Sequence, residues 1–218
     1  MTGFSNSPRL IKGGLVLVDS ASGQIRRIVS LQYNPDSLSR SFQIRAQGEG
    51  GDRSEALRLK GPPVESIKLD AEIDATDQLE FPDSNPVAVS VGIHPQLAAL
   101  ETLLYPASTV LQNNNTQAGS GVLEIIPMEA PLALFVWSRN RVVPVRVTDF
   151  SVTEEAFDPA LNPIRAKVSL GLRVLTVDDL GFAHRGGGLF MSYLKNKEAL
   201  AGKVAGVSLA SLGLERLP

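Results

Sequence analysis

The longest strand-forming stretch of the chain is RVVPVRVTDFSVTEEAFDPALNPIRAKVSLGLRVLTV, residues 141–177. Between Ile164 and Leu172 the even-numbered residues are all apolar. A two-residue period of this kind is typical of a β-strand with one buried face. The opposite side of the same strand carries Arg165, Lys167 and Arg173. Before it, DPALNP (residues 158–163) supplies the Asp, Asn and Pro of a tight turn, so the stretch predicts a long antiparallel hairpin.

Further segments outside this hairpin also show strand patterns. In VESIKLDAEID, residues 64–74, the odd positions from Ile67 to Ile73 are apolar, which predicts one buried face. In LQYNPDSLSRSFQ, residues 31–43, Pro35 fixes φ and lacks an amide hydrogen, so a strand, a stiff turn and a new strand are expected. The other predicted strands are residues 13–19 and 23–33, which form a hairpin, and residues 38–46, 122–127 and 132–138. We therefore predict a mainly β protein.

Two segments predict helices. HPQLAALETLLYP places leucines at helical spacing between two prolines, so we expect a helix from Pro95 to about Tyr105. Three glycines, residues 186–188, are interpreted as a hinge, and the residues after them predict an amphipathic helix. Residues 48–60, residues 107–121 and the segment containing Pro82 and Pro86 are expected to be loops. The predicted organisation is a β domain over residues 1–180, then a Gly-rich linker and helical extension over residues 181–218.

Composition narrows the function classes. The chain has 218 residues and is 43% hydrophobic, enough for a well-buried core. Its 21 basic and 23 acidic residues include no basic run, which argues against a nucleic-acid partner. The absence of cysteine excludes disulfides, thiolate nucleophiles and cysteine-ligated metals. We see no signal-peptide pattern and no apolar run of about 18 residues, so a cytoplasmic protein without membrane contact is expected.

Residues capable of chemistry are few. The two histidines, His94 and His184, are expected to lie at the surface or to cap helices. Carboxylates alternate along residues 64–74, at Asp70, Glu72 and Asp74, and Asp77 follows. This row is compatible with a carboxylate pair or a cation site, but it is more typical of a solvated strand face. Neither a nucleophile elbow nor a phosphate-binding loop is present, and no cofactor is expected.

Several motifs together, in chain order, resemble the N-terminal domain of contractile injection system tube proteins. They are LQYNPDSLSR, IKLDAEIDATD, HPQLAALETLLYP, PLALFVWS and the late hairpin, and the resemblance covers about residues 15–177. The aromatic-Asn-Pro-x-x-Leu turn of that family is matched by Tyr33, Asn34, Pro35 and Leu38. Its Phe-Asp-Pro turn and basic strand are matched by Phe157, Asp158, Pro159, Arg165 and Lys167. No LysM-type module, which relatives often carry, is recognisable after residue 177.

This resemblance implies a split antiparallel β-barrel of the tail-tube type with one flanking helix. It implies a hexameric ring whose sheets join edge to edge around a lumen. The chain would then be a structural, non-enzymatic tube initiator or adaptor between the spike hub and the inner tube, with baseplate components as further partners. It would assemble in the cytoplasm and enter a phage-tail-like particle.

The candidate subunit-interface residues follow from the matched motifs and the late hairpin. The basic residues of the last strand are expected to meet acidic groups of a neighbouring subunit, such as Glu154 or Glu155. An alternative from another class is a cell-envelope carbohydrate-binding module or hydrolase, for which Asp70 and Asp74 are the acidic candidates. The complete interface set is Tyr33, Asn34, Pro35, Leu38, Glu154, Glu155, Phe157, Asp158, Arg165, Lys167 and Arg173.

Overall fold

An antiparallel sheet of seven strands dominates the computed structural model, which describes residues 11–46, 58–119, 131–204, 206 and 208–216. The strand order is β2-β1-β5-β6-β7-β4-β3. The mainly β fold class is therefore confirmed. The strands are β1 (Gly14–Val18), β2 (Ile25–Ser30), β3 (Leu38–Gln43), β4 (Val64–Asp74), β5 (Leu132–Ser138), β6 (Arg141–Phe157) and β7 (Pro163–Val174).

The predicted alternation is visible in the core. On β4 the odd-numbered apolar residues are buried, with Ile67 fully inaccessible. On β7, Ala166, Val168 and Leu172 are also fully inaccessible, because β7 lies between β6 and β4 in the sheet. Strand β4 has the predicted bounds, whereas β2 and β3 end at Ser30 and Gln43, before the predicted residues 33 and 46. The predicted strand at residues 122–127 lies outside the described residues.

The sheet curls so that β2, at one end of the strand order, approaches β4. The side-chain amide of Gln32, two residues after β2, donates to the Asp74 carbonyl at 2.6 Å and accepts from the Asp74 N–H at 3.0 Å. No backbone ladder joins β2 to β4 within the described residues. The sheet is thus an open, or split, barrel, and we use the name seam for the gap between β2 and the second half of β4 (residues 70–74).

The helices differ from the sequence prediction. They are α1 (Thr76–Leu79), α2 (Pro86–Val91), α3 (His94–Glu101), α4 (Ser108–Gly119), α5 (Val177–Leu180) and α6 (Arg185–Ala201). The segment with two prolines is partly helical because Pro86 occupies the first helical position, where its missing N–H costs nothing. Helix α3 ends at Glu101, before Tyr105, because the next turn tightens to i→i+3 bonds such as Leu104 N–H to Glu101 O.

The predicted loop at residues 107–121 is wrong, because residues 108–119 form α4. Asn is a common turn residue, but Leu and Gln are good helix formers, and no proline or internal glycine interrupts this segment. The Thr116 hydroxyl donates to the Gln112 carbonyl one turn earlier, at 3.0 Å. Helix α4 buries none of its residues, so its apolar pattern could not have revealed it.

The interpretation of residues 186–188 as a hinge is also wrong, because the three glycines form the first turn of α6. His184 caps this helix by accepting the Gly186 N–H on Nδ1 at 3.1 Å, which confirms the capping alternative for that histidine. Glycine is required for close packing here, since a Cβ on Gly187 would lie 2.0 Å from the Gly181 carbonyl oxygen. Phe190 and Tyr193 of α6 belong to the main core.

Candidate subunit interface

The longest strand, β6, has an edge that no described strand covers over most of its length. Strand β5 pairs only with residues 141–145 of β6, whereas β7 pairs with residues 145–157. Odd-numbered β7 residues direct their backbone groups to β6, as the bond from Leu175 N–H to Pro144 O shows. After the register shift between Val147 and Asp149, the odd-numbered residues of β7 pair with odd-numbered residues of β6. The backbone N–H and C=O groups of Phe150, Val152 and Glu154 consequently point away from β7.

The tip of the hairpin is held by a polar network around Asp158. One carboxylate oxygen of Asp158 accepts the backbone N–H groups of Ala160 and Asn162, each at 2.8 Å. The other accepts the Asn162 side-chain amide at 2.8 Å. These bonds, first that of the Asn162 side chain, lower the pKa of Asp158. The network leaves Phe157 and Leu161 exposed at the tip, so the hairpin presents two apolar side chains to solvent.

The three basic residues of β7 have acidic partners within their own chain. Arg165 Nε lies 2.7 Å from Asp74 Oδ2 and 3.9 Å from Glu72 Oε1. Lys167 pairs with Glu155 at 3.0 Å, and Arg173 pairs with Asp179 at 2.6 Å. Contact of these basic residues with a neighbouring subunit stays a prediction, and a charge reversal at Arg165 would first disturb the monomer. Among the described residues, exposed Glu154 has no ion-pair partner.

Asp74 is kept ionised by its neighbours. Burial opposes the ionisation of Asp74, but the hydroxyl and backbone N–H of Thr76 and the guanidinium of Arg165 all donate to its carboxylate. The donors outweigh burial and hold the pKa of Asp74 below its ordinary value of 3.8. In return the hydrogen bond and the charge of Asp74 raise the pKa of Arg165.

We expect Asp74→Asn to be less stable than the wild type at pH 7 and the difference to shrink in acid. A carboxylate whose folded pKa is lowered stabilises the protein above its unfolded pKa, and this contribution is lost as pH falls through the folded pKa. Urea midpoints between pH 7 and pH 2 measure the difference, with exposed Asp36→Asn as the control. A gap between wild type and Asp74→Asn that stays constant below pH 3.8 would contradict the role given to Asp74.

The motif residues after β2 anchor the chain to the start of β1. Asn34 Oδ1 accepts the Gly13 N–H at 2.9 Å, and Asn34 Nδ2 donates to the Ile11 carbonyl at 2.8 Å. Leu38 opens β3 and packs against the main core. Tyr33, Asn34 and Pro35 line a groove of about 520 Å³ on the outer face of the sheet, whose other walls include Asp70, Glu72, Ser151, Thr153 and Lys167.

The structure thus brings part of the predicted set together. Tyr33, Asn34, Pro35 and Lys167 share one groove. Arg173 lies elsewhere, beside Asp179 of α5, and Phe157 and Asp158 lie at the hairpin tip. Of the carboxylates on β4, Glu72 and Asp74 lie beside Arg165, and no group of three metal-binding side chains occurs among the described residues.

A buried ionic cluster around Glu65 was not predicted. Glu65, with only 4% of its surface exposed, accepts hydrogen bonds from Arg40 Nε at 2.8 Å, Lys197 Nζ at 3.0 Å and the Tyr193 hydroxyl at 3.1 Å. Both cations also lie over the Phe42 ring, at 5.0 and 5.2 Å from its centroid. The cluster joins α6 to β3 and β4. Its one signal in the sequence is that Glu65 lies on the buried, odd-numbered side of β4.

Comparison with known proteins gives no family match and a weak structural similarity. No protein-family model and no curated protein matches the chain. Among solved structures, it is similar to a chain described as "Tail of empty GTA particle computed with helical refinement, C6 symmetry". The TM-score is 0.30 at 10% identity, over 75% of this chain and 90% of that chain. Similarity at this level assigns neither a family nor a function. No helix in the described residues is long and apolar enough to cross a membrane.

Proposed function

We propose that this protein is a structural, non-enzymatic subunit of a contractile injection system and assembles as a ring of about six copies. The free edge of β6 is the observation that carries the proposal. A long strand with unpaired backbone groups is an aggregation hazard in a monomer, but it is suited to pairing with another subunit. The motifs that resemble tube proteins support the same assignment.

Two different free edges permit a closed ring. Strand β3 ends the strand order opposite β2, so its outer edge, like that of β6, pairs with no described strand. Pairing of β6 in one copy with β3 in the next uses two unlike surfaces, and such head-to-tail contacts generate rings when the rotation closes. The buried Glu65 cluster fixes β3 against α6 and keeps its edge in position.

Within the contractile injection system, we propose that the protein is the initiator or adaptor between the spike hub and the inner tube. A protein in this position needs no cofactor, because its work is to match one ring to the next. Its partners would be the hub, the inner tube and baseplate components, and assembly would begin in the cytoplasm. Co-sedimentation of purified chain with a spike protein and a tube protein, tested separately and together, examines this position.

Proline at Glu154 tests the free edge. The Glu154 N–H points away from β7, so Glu154→Pro removes a donor that the monomer does not use. We expect a variant with an unchanged unfolding midpoint that no longer forms rings, measured by mass photometry. The matched control is Glu154→Ala, which keeps the N–H and removes the carboxylate. Rings of unchanged mass and stability from Glu154→Pro would show that this edge is not the subunit contact.

The groove on the outer face favours a second candidate, a carbohydrate-binding module of the cell envelope. Tyr33 supplies an exposed aromatic ring, and Asp70, Ser151 and Thr153 supply polar groups of the kind that orient sugars. Sedimentation with purified peptidoglycan tests this candidate. Binding that is lost in Asp70→Asn would favour the carbohydrate-binding module over the ring subunit. If the protein does not sediment with peptidoglycan, this second candidate is excluded.

A further inference from the structure

The turn between β6 and β7 has a leucine where its geometry favours glycine. The Leu161 N–H donates to the Asp158 carbonyl at 2.9 Å, and the Asp158 N–H donates to the Asn162 carbonyl at 3.0 Å. These two bonds define a three-residue hairpin loop, in which a type I turn is followed by one residue in the left-handed region. Leu161 is that residue, with a φ of 65°. Glycine or asparagine is expected there, because the left-handed conformation brings Cβ too close to the following carbonyl oxygen.

The Leu161 side chain makes few contacts that could compensate for this strain. It is 77% exposed, so it packs on little of the described chain. Among the described residues, one further non-glycine residue has a positive φ, Ala156 at 55°, and it lies at the same end of the hairpin. Its neighbour Phe157 is 51% exposed. Strained backbone and exposed apolar side chains thus coincide at the hairpin tip, residues 156–161.

Hydrogen bonds hold the hairpin tip in one conformation. The carboxylate of Asp158 accepts two backbone N–H groups of the turn and the side-chain amide of Asn162. The same amide also donates to the Ser90 carbonyl of α2 at 3.3 Å, so the turn is tied to that helix. Leu161 is therefore presented in a fixed position before any partner arrives. Such preorganisation lowers the entropy cost of binding.

We propose that Leu161, together with Phe157, is an apolar anchor that a second copy of this chain covers when the copies pair along β6. The inference rests on the proposed ring. Continuity with the free edge favours a second copy, because Glu154 of that edge precedes Phe157 by only three residues, about 10 Å along the strand. A copy paired along residues 150–154 therefore lies beside the hairpin tip. Its cover over Leu161 explains why a leucine occupies a position where glycine would be unstrained.

The Leu161→Asn variant separates assembly from stability. Asparagine tolerates the left-handed conformation, so the substitution relieves strain while it removes the apolar side chain. We expect the urea midpoint of the monomer, measured below the concentration at which rings form, to equal or exceed that of the wild type. The concentration for half assembly, measured by mass photometry, should rise about tenfold or more, because the variant no longer buries a leucine side chain at the contact.

Two control variants isolate the role of the side chain. Leu161→Met keeps an apolar side chain of similar volume at the strained position and should assemble as the wild type does. Phe182→Asn removes a similarly exposed apolar side chain, 74% accessible, from the connection between α5 and α6. It should leave both the urea midpoint and the assembly unchanged.

Three results would overturn the proposal. Equal half-assembly concentrations for Leu161→Asn and the wild type would mean that the ring forms without an anchor at the hairpin tip. A lower monomer midpoint for Leu161→Asn would mean that the side chain packs within its own chain. Absence of any larger particle in the wild type would overturn the ring and the anchor together.

Discussion

The Val168→Pro variant is expected not to fold. Val168 is fully inaccessible at the centre of β7, and β7 is paired on both sides over most of its length. Even-numbered β7 residues direct their backbone groups to β4, as the bond from Ala75 N–H to Ile164 O shows, so proline removes the ladder bond to Ala71. The Ala71 carbonyl is then buried without a donor, and the ring of proline disturbs the packing of the core. Together these effects cost about 4 kcal/mol or more, much of the stability of an ordinary domain.

Circular dichroism and urea unfolding of the purified variant measure this loss. Glu154→Pro is the matched control, because it introduces the same residue on β6, where the N–H faces outward. We expect the control to unfold at the wild-type midpoint and Val168→Pro to lack a cooperative transition. A cooperative Val168→Pro transition within about 1 kcal/mol of the wild type would mean that β7 is not a central strand.

The Glu65→Ala variant is expected to lose about 3 kcal/mol of unfolding free energy. Removing the carboxylate leaves Arg40 and Lys197 close together with no anion between them, and it deprives the Tyr193 hydroxyl of its acceptor. Because these residues join α6 to β3 and β4, the helix should detach before the sheet unfolds. A chain of this size should then melt roughly 6 to 12 °C earlier.

Calorimetry gives the melting temperature, and hydrogen exchange of α6 amides reports the detachment. The control is Glu154→Ala, which removes an exposed carboxylate and should change stability by no more than about 0.5 kcal/mol. If Glu65→Ala melted within 2 °C of the control and α6 stayed protected, the cluster would contribute little to helix docking.

The sequence was most informative where one strand face is buried. Strands β4, β6 and β7 were predictable because apolar residues recur at every second position wherever one side of a strand packs on a core. The turn at Asp158 marks the boundary between β6 and β7. Helix α4 was not predicted because it buries none of its residues and its sequence is mostly polar. The glycines of α6 were misinterpreted because Gly187 packs closely on the backbone of Gly181, a contact that the local sequence does not show.

Candidate interface residues were harder to predict than strands. Arg165, Lys167 and Arg173 were expected to be available to a neighbour. Instead Arg165 pairs with Asp74, which is distant in sequence, Lys167 pairs with Glu155 across the hairpin, and Arg173 pairs with Asp179 of α5. The seam was unpredictable for the same reason, since Gln32 and Asp74 meet only after the sheet curls. The free edge of β6 follows from the shortness of β5, which pairs with only a few residues of its longer neighbour.

Mass photometry of the full chain over a range of concentrations is the decisive measurement for the proposed ring. The proposal predicts a discrete particle of about 140 kDa, six times the 23.3 kDa subunit, whose population rises with concentration and disappears in Glu154→Pro. A particle that stays at 23.3 kDa at the highest concentration the protein tolerates would contradict a ring-forming subunit.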